Sequence, residues 1–591
     1  MTHRDARWDA QVYDRDNSRD GGVESDTHLI GSKAAAIRVG RTRLLTVALV
    51  FAISFVVLGV RLVQLTVIRE PSHSLAFISS SPTKSTAGRA DIVDRNGVLL
   101  ATNLITASLY ADARVVPDVA ATAQKLVAIL PELSPSAVRE RLSSGRAFVW
   151  LKRNLTPTQQ AAINDLGIPG LHFRAEQRRL YPHGALEAHV LGFTDVDGNG
   201  IAGIEKYFDQ DMRDRGPEGK SLQLSLDIRV QHVLRDELTA AMLRFRATGA
   251  AGLVMNANTG EILGLTSLPD FDPNHPSAAP ALARFNRATK GVYELGSVFK
   301  VLTVAMALDS GVTNIAGGYD ATKPIRISRF TIRDSHAKAR WLSVPEILIY
   351  SSNIGAAKMA MDVGRDGQRE YLDRFGLLDR PRLELPEVGA PITPARWGDI
   401  STMTASYGHG LAVSPVQFAS AFAATVNGGV LMPATLIKRR AGERAVGVQV
   451  VSEQTSEQLR RLLRAVVEKG TGRKASAPGY LVGGKTGTAE KAGVGGYNRK
   501  SLISSFVAAF PMTAPEYVVY LLLDEPKGNS ETHGYAGAGW TAAPLTSRVV
   551  GRIAPILGVR PLDVAAAPIR RAMAQPLHSR LPMRSRNVAV N

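Results

Sequence analysis

Cysteine is absent from all 591 residues, which removes disulfide scaffolds, thiol nucleophiles, iron–sulfur centres and thiolate zinc sites together. Acidic residues are in deficit, 53 against 71 lysines and arginines, for a net charge of +18. The basic excess is scattered along the chain rather than gathered into a stripe with interleaved aromatics, so no nucleic-acid partner is expected. A negatively charged membrane surface or cell wall accounts for it equally well. Internal repeats are also missing. With 45% apolar residues, the chain has material for a large core and, at roughly 150 residues per domain, for about four units.

One long uncharged run is present. Leu44 to Val60 reads LLTVALVFAISFVVLGV, and as a helix it spans about 26 Å, enough to cross the hydrocarbon of a bilayer. Lys33, Arg38, Arg41 and Arg43 precede it, and residues 27–43 carry no acid. The positive-inside rule then puts the N-terminus in the cytoplasm and everything after Arg61 outside. A cleaved signal peptide has a short basic start and a small-x-small site after the apolar run; here 43 residues precede the run and Arg61-Leu62-Val63-Gln64 follows. An uncleaved single-pass anchor is expected.

Residues 1–26 mix both charge signs without apolar periodicity and read as a disordered tail, and Ser72 to Ser85 reads as a linker. From there to about Gly219, β-like runs (ASLYADARVV, RAFVWLKR) alternate with helical ones (DVAATAQKLVAIL), as in an irregular α+β module. GPEGKS at 216–221 marks a boundary. Beyond it, IRVQHVLRDELTAAMLRF has helical spacing, and AAGLVMNA, NTGE and ILGLTSL read as strand, turn and strand. A helix-rich block follows, closed by two further β-type runs, SLISSFVAAF and EYVVYLLLD. The last residues, 570–591, are basic and aperiodic.

Three short motifs carry chemistry. In Ser297-Val298-Phe299-Lys300, Lys300 is the only charged residue up to Leu308, as in a buried helix. Spacing of three puts Lys300 on the face of Ser297, and burial lowers an ammonium pKa until the amine can take the serine proton. A serine at a helix start also meets backbone N–H groups that favour developing negative charge. The S-x-x-K pattern recurs at Ser81/Lys84 and Ser335/Lys338, but in polar, loop-like contexts that leave the lysine solvated. Ser351-Ser352-Asn353 separates two helical stretches, where a hydroxyl and an amide can face one pocket or merely cap a helix. Lys485-Thr486-Gly487-Thr488 lies before the C-terminal strands. Gly487 allows close backbone approach, two hydroxyls suit a carboxylate, and Lys485 adds positive charge; the bland alternative is an exposed turn.

In order, S-x-x-K, S-x-N and K-T-G make the signature of penicillin-binding proteins and serine β-lactamases. The chain resembles a class B penicillin-binding protein over residues 41 to about 560, and in detail a division-specific, FtsI-type D,D-transpeptidase. Further matches are the R-x-x-I-x-D-R-N-G-x-x-L-A box from Arg89 to Ala101, R-x-Y-P-x-G from Arg179 to Gly184, G-x-x-G-x-E from Gly200 to Glu205, Thr259-Gly260-Glu261, and Tyr407-Gly408-His409-Gly410. Ala90 replaces the family's usual glycine and Leu295 its usual proline.

The resemblance implies an α/β (α+β) fold of the penicillin-binding-protein/β-lactamase type, in which helices pack on an antiparallel sheet of about five strands. Its organisation would be a cytoplasmic tail over 1–43, a transmembrane helix over 44–62, a dimerisation-like pedestal over 63–220, a transpeptidase domain over 221–565 and a basic tail over 566–591. It implies stem peptides ending in D-Ala-D-Ala as substrate, β-lactams as covalent inhibitors, an FtsW-like membrane glycan polymerase and other division proteins as partners, and an inner-membrane location. Ser297 would be the nucleophile, Lys300 its base, Ser351, Asn353 and Lys485 further catalytic groups, and Thr486, Gly487 and Thr488 substrate contacts; no metal or organic cofactor is implied. Elongation-type activity, or a non-catalytic scaffold or β-lactam sensor, is the alternative.

Competing readings fit less of the chain. Residues 479–486, GYLVGGKT, match a phosphate-loop pattern, yet glycine-rich loop sequence rather than a helical stripe follows. The stretch directly after Ser351, where a class A β-lactamase would place its water-activating glutamate, holds no E-x-x-x-N, and the pedestal lacks the E-D-x-x-F-x-x-H box of a glycosyltransferase.

Overall fold

A computed structural model describes residues 41, 43, 45–60 and 88–574, except 218, 328, 329, 441, 444, 494 and 495. The chain divides into two units, Met1–Lys84 and Ser85–Asn591. In the first, residues 45–60 are helical and every side chain along them is exposed. Among the described residues no helix is long and apolar enough to cross a membrane. The expected span of 44–62 includes residues 44, 61 and 62, which lie outside the described ones.

The second unit begins with a sheet built on the Leu99–Ala111 strand, which pairs antiparallel with Ile92–Val93, Val149–Leu155 and Leu171–Leu180; Leu222–Gln223 joins parallel to Ile92–Val93. The strand expected over ASLYADARVV ends at Ala111. Helices Val119–Ile129, Pro135–Leu142 and Pro157–Asn164 bury Leu126, Val138 and Ile163 in one cluster with Leu109, Leu151 and Leu155 of the sheet. Their starts are written locally: Asp118 accepts from Ala121 N, and Thr156 with Gln159 forms a capping box.

Three separate sequence boxes converge here. Arg89 Nε and Arg179 Nε donate to the two oxygens of Glu205 at 2.8 and 2.7 Å, and Arg89 Nη2 donates to the Glu205 carbonyl at 2.7 Å. All three side chains are buried. Ala90, also buried, keeps the strand's path by donating from its N–H to Met212 O. Asp94 of the first box accepts from Asn96 N, Val98 N and, across the boundary, Ile228 N.

The larger part is organised by a five-stranded antiparallel sheet in the order Gly483–Gly493, Gly496–Phe510, Tyr517–Asp524, Gly249–Asn256, Ile262–Leu268. Its central strands lack polar alternation because both faces are covered. Val518, Tyr520 and Leu522 enter the cluster made with the Lys300–Asp309, Val344–Tyr350, Pro415–Ala424 and Glu453–Lys469 helices. Val519, Leu521 and Leu523 pack on the opposite side against the Ile228–Arg244 and Ala542–Ile556 helices. Strands therefore bracket a helical block, as the order of sequence patterns requires. Within the expected aperiodic tail, Ala567–Ala572 forms a short helix started by Pro568.

Removing Glu205 leaves two buried guanidinium groups without their shared carboxylate, a change on the order of 3–5 kcal/mol. Glu205→Ala is expected to lower hydrogen-exchange protection of the amides around 89–103 and 200–213 by roughly that free energy. Unaltered protection would show that the arginines find other partners.

Candidate active site

Ser297 stands in the 3-10 turn Gly296–Phe299, which runs directly into the Lys300–Asp309 helix. Every residue from Lys300 to Ala307 is buried, so the apolar run packs on all sides and Lys300 is fully enclosed. The Val344–Tyr350 helix ends because Ser351 adopts a left-handed conformation, φ 60° and ψ 45°. Ser352 then caps the Asn353–Val363 helix by accepting from Gly355 N. The two possibilities open for this motif are thus both realised: Ser352 caps, while Ser351 and Asn353 face the pocket. Lys485 to Thr488 lie inside the Gly483–Gly493 edge strand, not ahead of the strands as expected, because Lys485 pairs with Val507 and Thr488 with Ser504. A strand at this position also excludes the phosphate-loop reading, which needs a helix there.

The pieces meet at two lysines. Lys300 Nζ lies 3.0 Å from Ser297 Oγ, 2.6 Å from Ser351 O, 3.1 Å from Ser351 Oγ and 2.7 Å from Asn353 Oδ1. Lys485 Nζ donates to Ser351 Oγ at 3.0 Å, Thr486 O at 3.1 Å and Thr486 Oγ1 at 3.2 Å. Thr486 Oγ1 also bonds Thr471 Oγ1 at 2.7 Å. Thr488 Oγ1 accepts from Ala538 N at 3.1 Å.

Counting donors and acceptors assigns the charges. Lys485 has three acceptors for the three N–H bonds of an ammonium. Around Lys300, Ser351 O and Asn353 Oδ1 accept only, and together they take both N–H bonds of a neutral amine. In that neutral form the lone pair can face a hydroxyl, Ser297 Oγ at 3.0 Å or Ser351 Oγ at 3.1 Å. Burial, and then the charge of Lys485, hold the Lys300 pKa well below the usual lysine value, while Asp334 opposes them. Burial alone lowers Lys485 to about 7.

The nucleophile turn is wedged between two backbones. A Cβ on Gly487 would lie 2.5 Å from Leu295 O, so only glycine lets the strand approach the turn. On the other side Gly296 N donates to Gly408 O, and a Cβ on Gly408, which has φ +79°, would lie 2.3 Å from Gly296 O. Leu295 is buried with helical angles, so proline is not required for this path.

Ser297, Lys300, Ser351, Asn353, Lys485 and Thr486 are therefore joined by hydrogen bonds, with Gly487 and Thr488 beside them. Ser335 and Lys338 are exposed, in keeping with their exclusion; Ser81 and Lys84 lie outside the described residues. Three contributors had no sequence signal. Asp334 accepts from Ser352 Oγ at 2.7 Å and Ile354 N at 3.0 Å, and the neighbouring Arg333 O accepts from Asn353 Nδ2 at 2.9 Å. Both lie in RDSHAKA, which reads as a bland polar loop. Thr471 stands in an ordinary helix-ending segment.

A serine 3.0 Å from a buried lysine, beside S-x-N and K-T-G, is the motif set of the penicillin-recognising enzymes. Residues 250–547 match the penicillin-binding protein transpeptidase domain, and residues 84–223 match the penicillin-binding protein dimerisation domain. The chain belongs to the class B penicillin-binding proteins, in which the second domain precedes the first. Within that class it is of the FtsI type. It is 43% identical to "Probable peptidoglycan D,D-transpeptidase FtsI" of Caulobacter vibrioides, over 80% of this chain and 82% of that protein. A solved transpeptidase domain of penicillin-binding protein 3 from Burkholderia pseudomallei is 33% identical with a TM-score of 0.52, covering 57% of this chain and 97% of that one. Penicillin-binding protein 3 of Mycobacterium tuberculosis, solved with aztreonam, shares the fold at 24% identity and a TM-score of 0.64, covering 81% of this chain and 98% of that one.

Two outcomes follow from this geometry. Gly408→Ala is expected to displace the Ser297 turn and slow penicillin acylation at least about tenfold, a barrier increase of about 1.4 kcal/mol, read by stopped-time fluorescent labelling. Between the folded value of about 7 for Lys485 and the free value of 10.5, the unfolded chain holds its proton more tightly than the native one. Stability then rises with pH across that window and is lost as pH falls toward 7. Lys485→Met should flatten the increase in urea midpoint between about pH 7 and 9; an unchanged slope would place its origin elsewhere.

Proposed function

We propose that this chain cross-links peptidoglycan as a serine D,D-transpeptidase in septal wall synthesis. The observation that carries the reading is the neutral-amine arrangement of Lys300, 3.0 Å from Ser297 Oγ with its own N–H bonds taken by Ser351 O and Asn353 Oδ1. Ser297 Oγ attacks the carbonyl of the penultimate D-Ala as Lys300 Nζ takes its proton. The proton passes, with Ser351 as relay, to the leaving D-Ala nitrogen. Asn353 orients Lys300 and the peptide, and Lys485 keeps positive charge on Ser351 and Thr486. Thr486 and Thr488 hold the terminal carboxylate, with Gly487 allowing the peptide-binding strand to lie against the turn. Backbone N–H groups of Ser297 and Thr488 stabilise the oxyanion; the tight fit of Gly296 against Thr488 O, where a Cβ would come within 2.5 Å, favours that pairing. An amine from a second stem peptide then resolves the acyl-enzyme. β-Lactams acylate the same serine, and their opened ring keeps the leaving nitrogen attached, so the adduct persists.

The same reading places a pedestal over 63–220 and the transpeptidase domain over 221–565, between tails at 1–43 and 566–591. It puts the protein in the inner membrane through 44–62, catalytic part outside, beside an FtsW-like glycan polymerase and other division proteins. The FtsI name of the Caulobacter relative supports division over elongation.

Ser297→Ala is expected to abolish covalent labelling by fluorescent penicillin, while Ser335→Ala labels normally. Lys300→Arg should lose most of it, since a guanidinium stays protonated. Label persisting on Ser297→Ala would sink the assignment.

A further inference from the structure

The two flanks of Ser297 differ in polarity. On one side Lys485, Thr486 and Thr488 offer an ammonium and hydroxyls. On the other, a cleft of about 250 Å³ is lined by Phe330, Ile332, Thr404, Tyr407, His409 and Tyr497 among others, and no lysine or arginine is among its described lining residues. Both walls are tied to the catalytic motifs. Arg333, next to Ile332, accepts from Asn353 Nδ2 at 2.9 Å, and Gly408, between Tyr407 and His409, accepts from Gly296 N at 3.2 Å.

Behind the aromatic wall stands Glu294, three residues before the nucleophile. Its Oε1 accepts from Tyr497 O–H at 3.0 Å and Gly410 N at 2.9 Å. Its Oε2 is buried without a hydrogen-bond partner among the described residues and lies 3.4 Å from His409 Nδ1. The His409 ring centroid is 5.5 Å from that of Tyr407 and 5.4 Å from that of Tyr497. Burial is the largest cause that lowers His409 to about 4, so the ring is neutral at physiological pH. Burial also raises Glu294 from its ordinary value, against the hydrogen bonds from Gly410 and Tyr497, which makes it readier to take a proton.

We propose that this cleft is the acceptor subsite, which takes the primary ammonium group of the incoming stem peptide over the rings of Tyr407, His409 and Tyr497, with Glu294 as its counter-charge. The inference rests on the transpeptidase reading. Aromatic faces attract a cation, more strongly once it leaves water, and the carboxylate supplies the opposite charge that the lysine-rich flank lacks. The ammonium gives one proton to the Glu294–His409 pair, and its freed lone pair forms the C–N bond to the acyl carbon. A second N–H proton passes to Lys300 Nζ, which returns it to Ser297 Oγ as the C–Oγ bond breaks. Glu294 then releases its proton to water. Acyl-enzyme and ammonium become amide, free serine and one proton.

The test uses full-length protein in detergent, a thioester donor with a D-alanyl acyl group, and D-alanine as the amine. The ratio of aminolysis to hydrolysis product is followed against D-alanine concentration, and penicillin acylation is timed separately. In Glu294→Gln and Tyr407→Leu the slope of that ratio should fall at least tenfold more than acylation does. Slopes equal to the native one, or falling only in step with acylation, would overturn the subsite; the latter would mean that the substitutions merely distort the Ser297 turn. Should Glu294→Gln take no label at all, Tyr407→Leu decides by the same criterion. A native protein that neither takes penicillin nor turns over the thioester would refute the transpeptidase reading, and the inference with it.

Discussion

Two buried lysines share one serine hydroxyl, and the rest of the site depends on that sharing. Lys300 and Lys485 both reach Ser351 Oγ, at 3.1 and 3.0 Å. Two ammonium groups on one buried hydroxyl would repel at short range in a medium that screens poorly. The structure resolves the conflict by giving Lys485 three acceptors and Lys300 two obligate ones plus a serine. That count leaves Lys300 the lone pair of an amine and gives Lys485 an acceptor for a third proton. Neither role belongs to a lysine as a residue type; each comes from what surrounds it.

Holding two such groups out of water costs several kcal/mol per charge, so the surrounding frame must be rigid. It is rigid because the nucleophile turn is clamped between an edge strand and a loop, and because the helix below Lys300 is packed on every side. Thr303 Oγ1 adds a bond from that helix to Ser406 O at 2.7 Å, fixing the segment that carries Gly408. Asp334 plays a similar part for the second motif by holding Ser352 and Ile354 from outside. The central sheet, buried on both faces, supplies a base that these loops cannot bend. The Arg89–Glu205–Arg179 cluster does for the pedestal what packing does for the catalytic part, joining segments 116 and 26 residues away to the helix that carries Glu205.

A feature was legible in the sequence where a local pattern sufficed to define it. The Lys300 helix was visible because a run with one charge in nine residues has no stable place but the interior. Strands 249–256 and 517–524 were visible as apolar runs near turn residues, and the three motifs by residue type and order. Asp334 and Thr471 stayed hidden because a polar residue in a loop looks the same whether it meets water or a catalytic motif. The edge-strand position of Lys485 was missed because its glycines and threonines read as a turn, whereas pairing with residues 505–508 makes them a strand.

The sequence by itself determined the class of chemistry, since Ser297 with Lys300 three residues on, in an apolar helix, is a one-dimensional relation that the helical repeat turns into contact. Tertiary structure alone decided which acceptors surround each lysine, that Ser351 serves both of them while Ser352 caps a helix, and that three separate boxes meet on Glu205. The physical reason is that pKa values, charge pairing and donor counts depend on the number of groups within about 3 Å of an atom, and those groups come from parts of the chain separated by 50 to 130 residues or more.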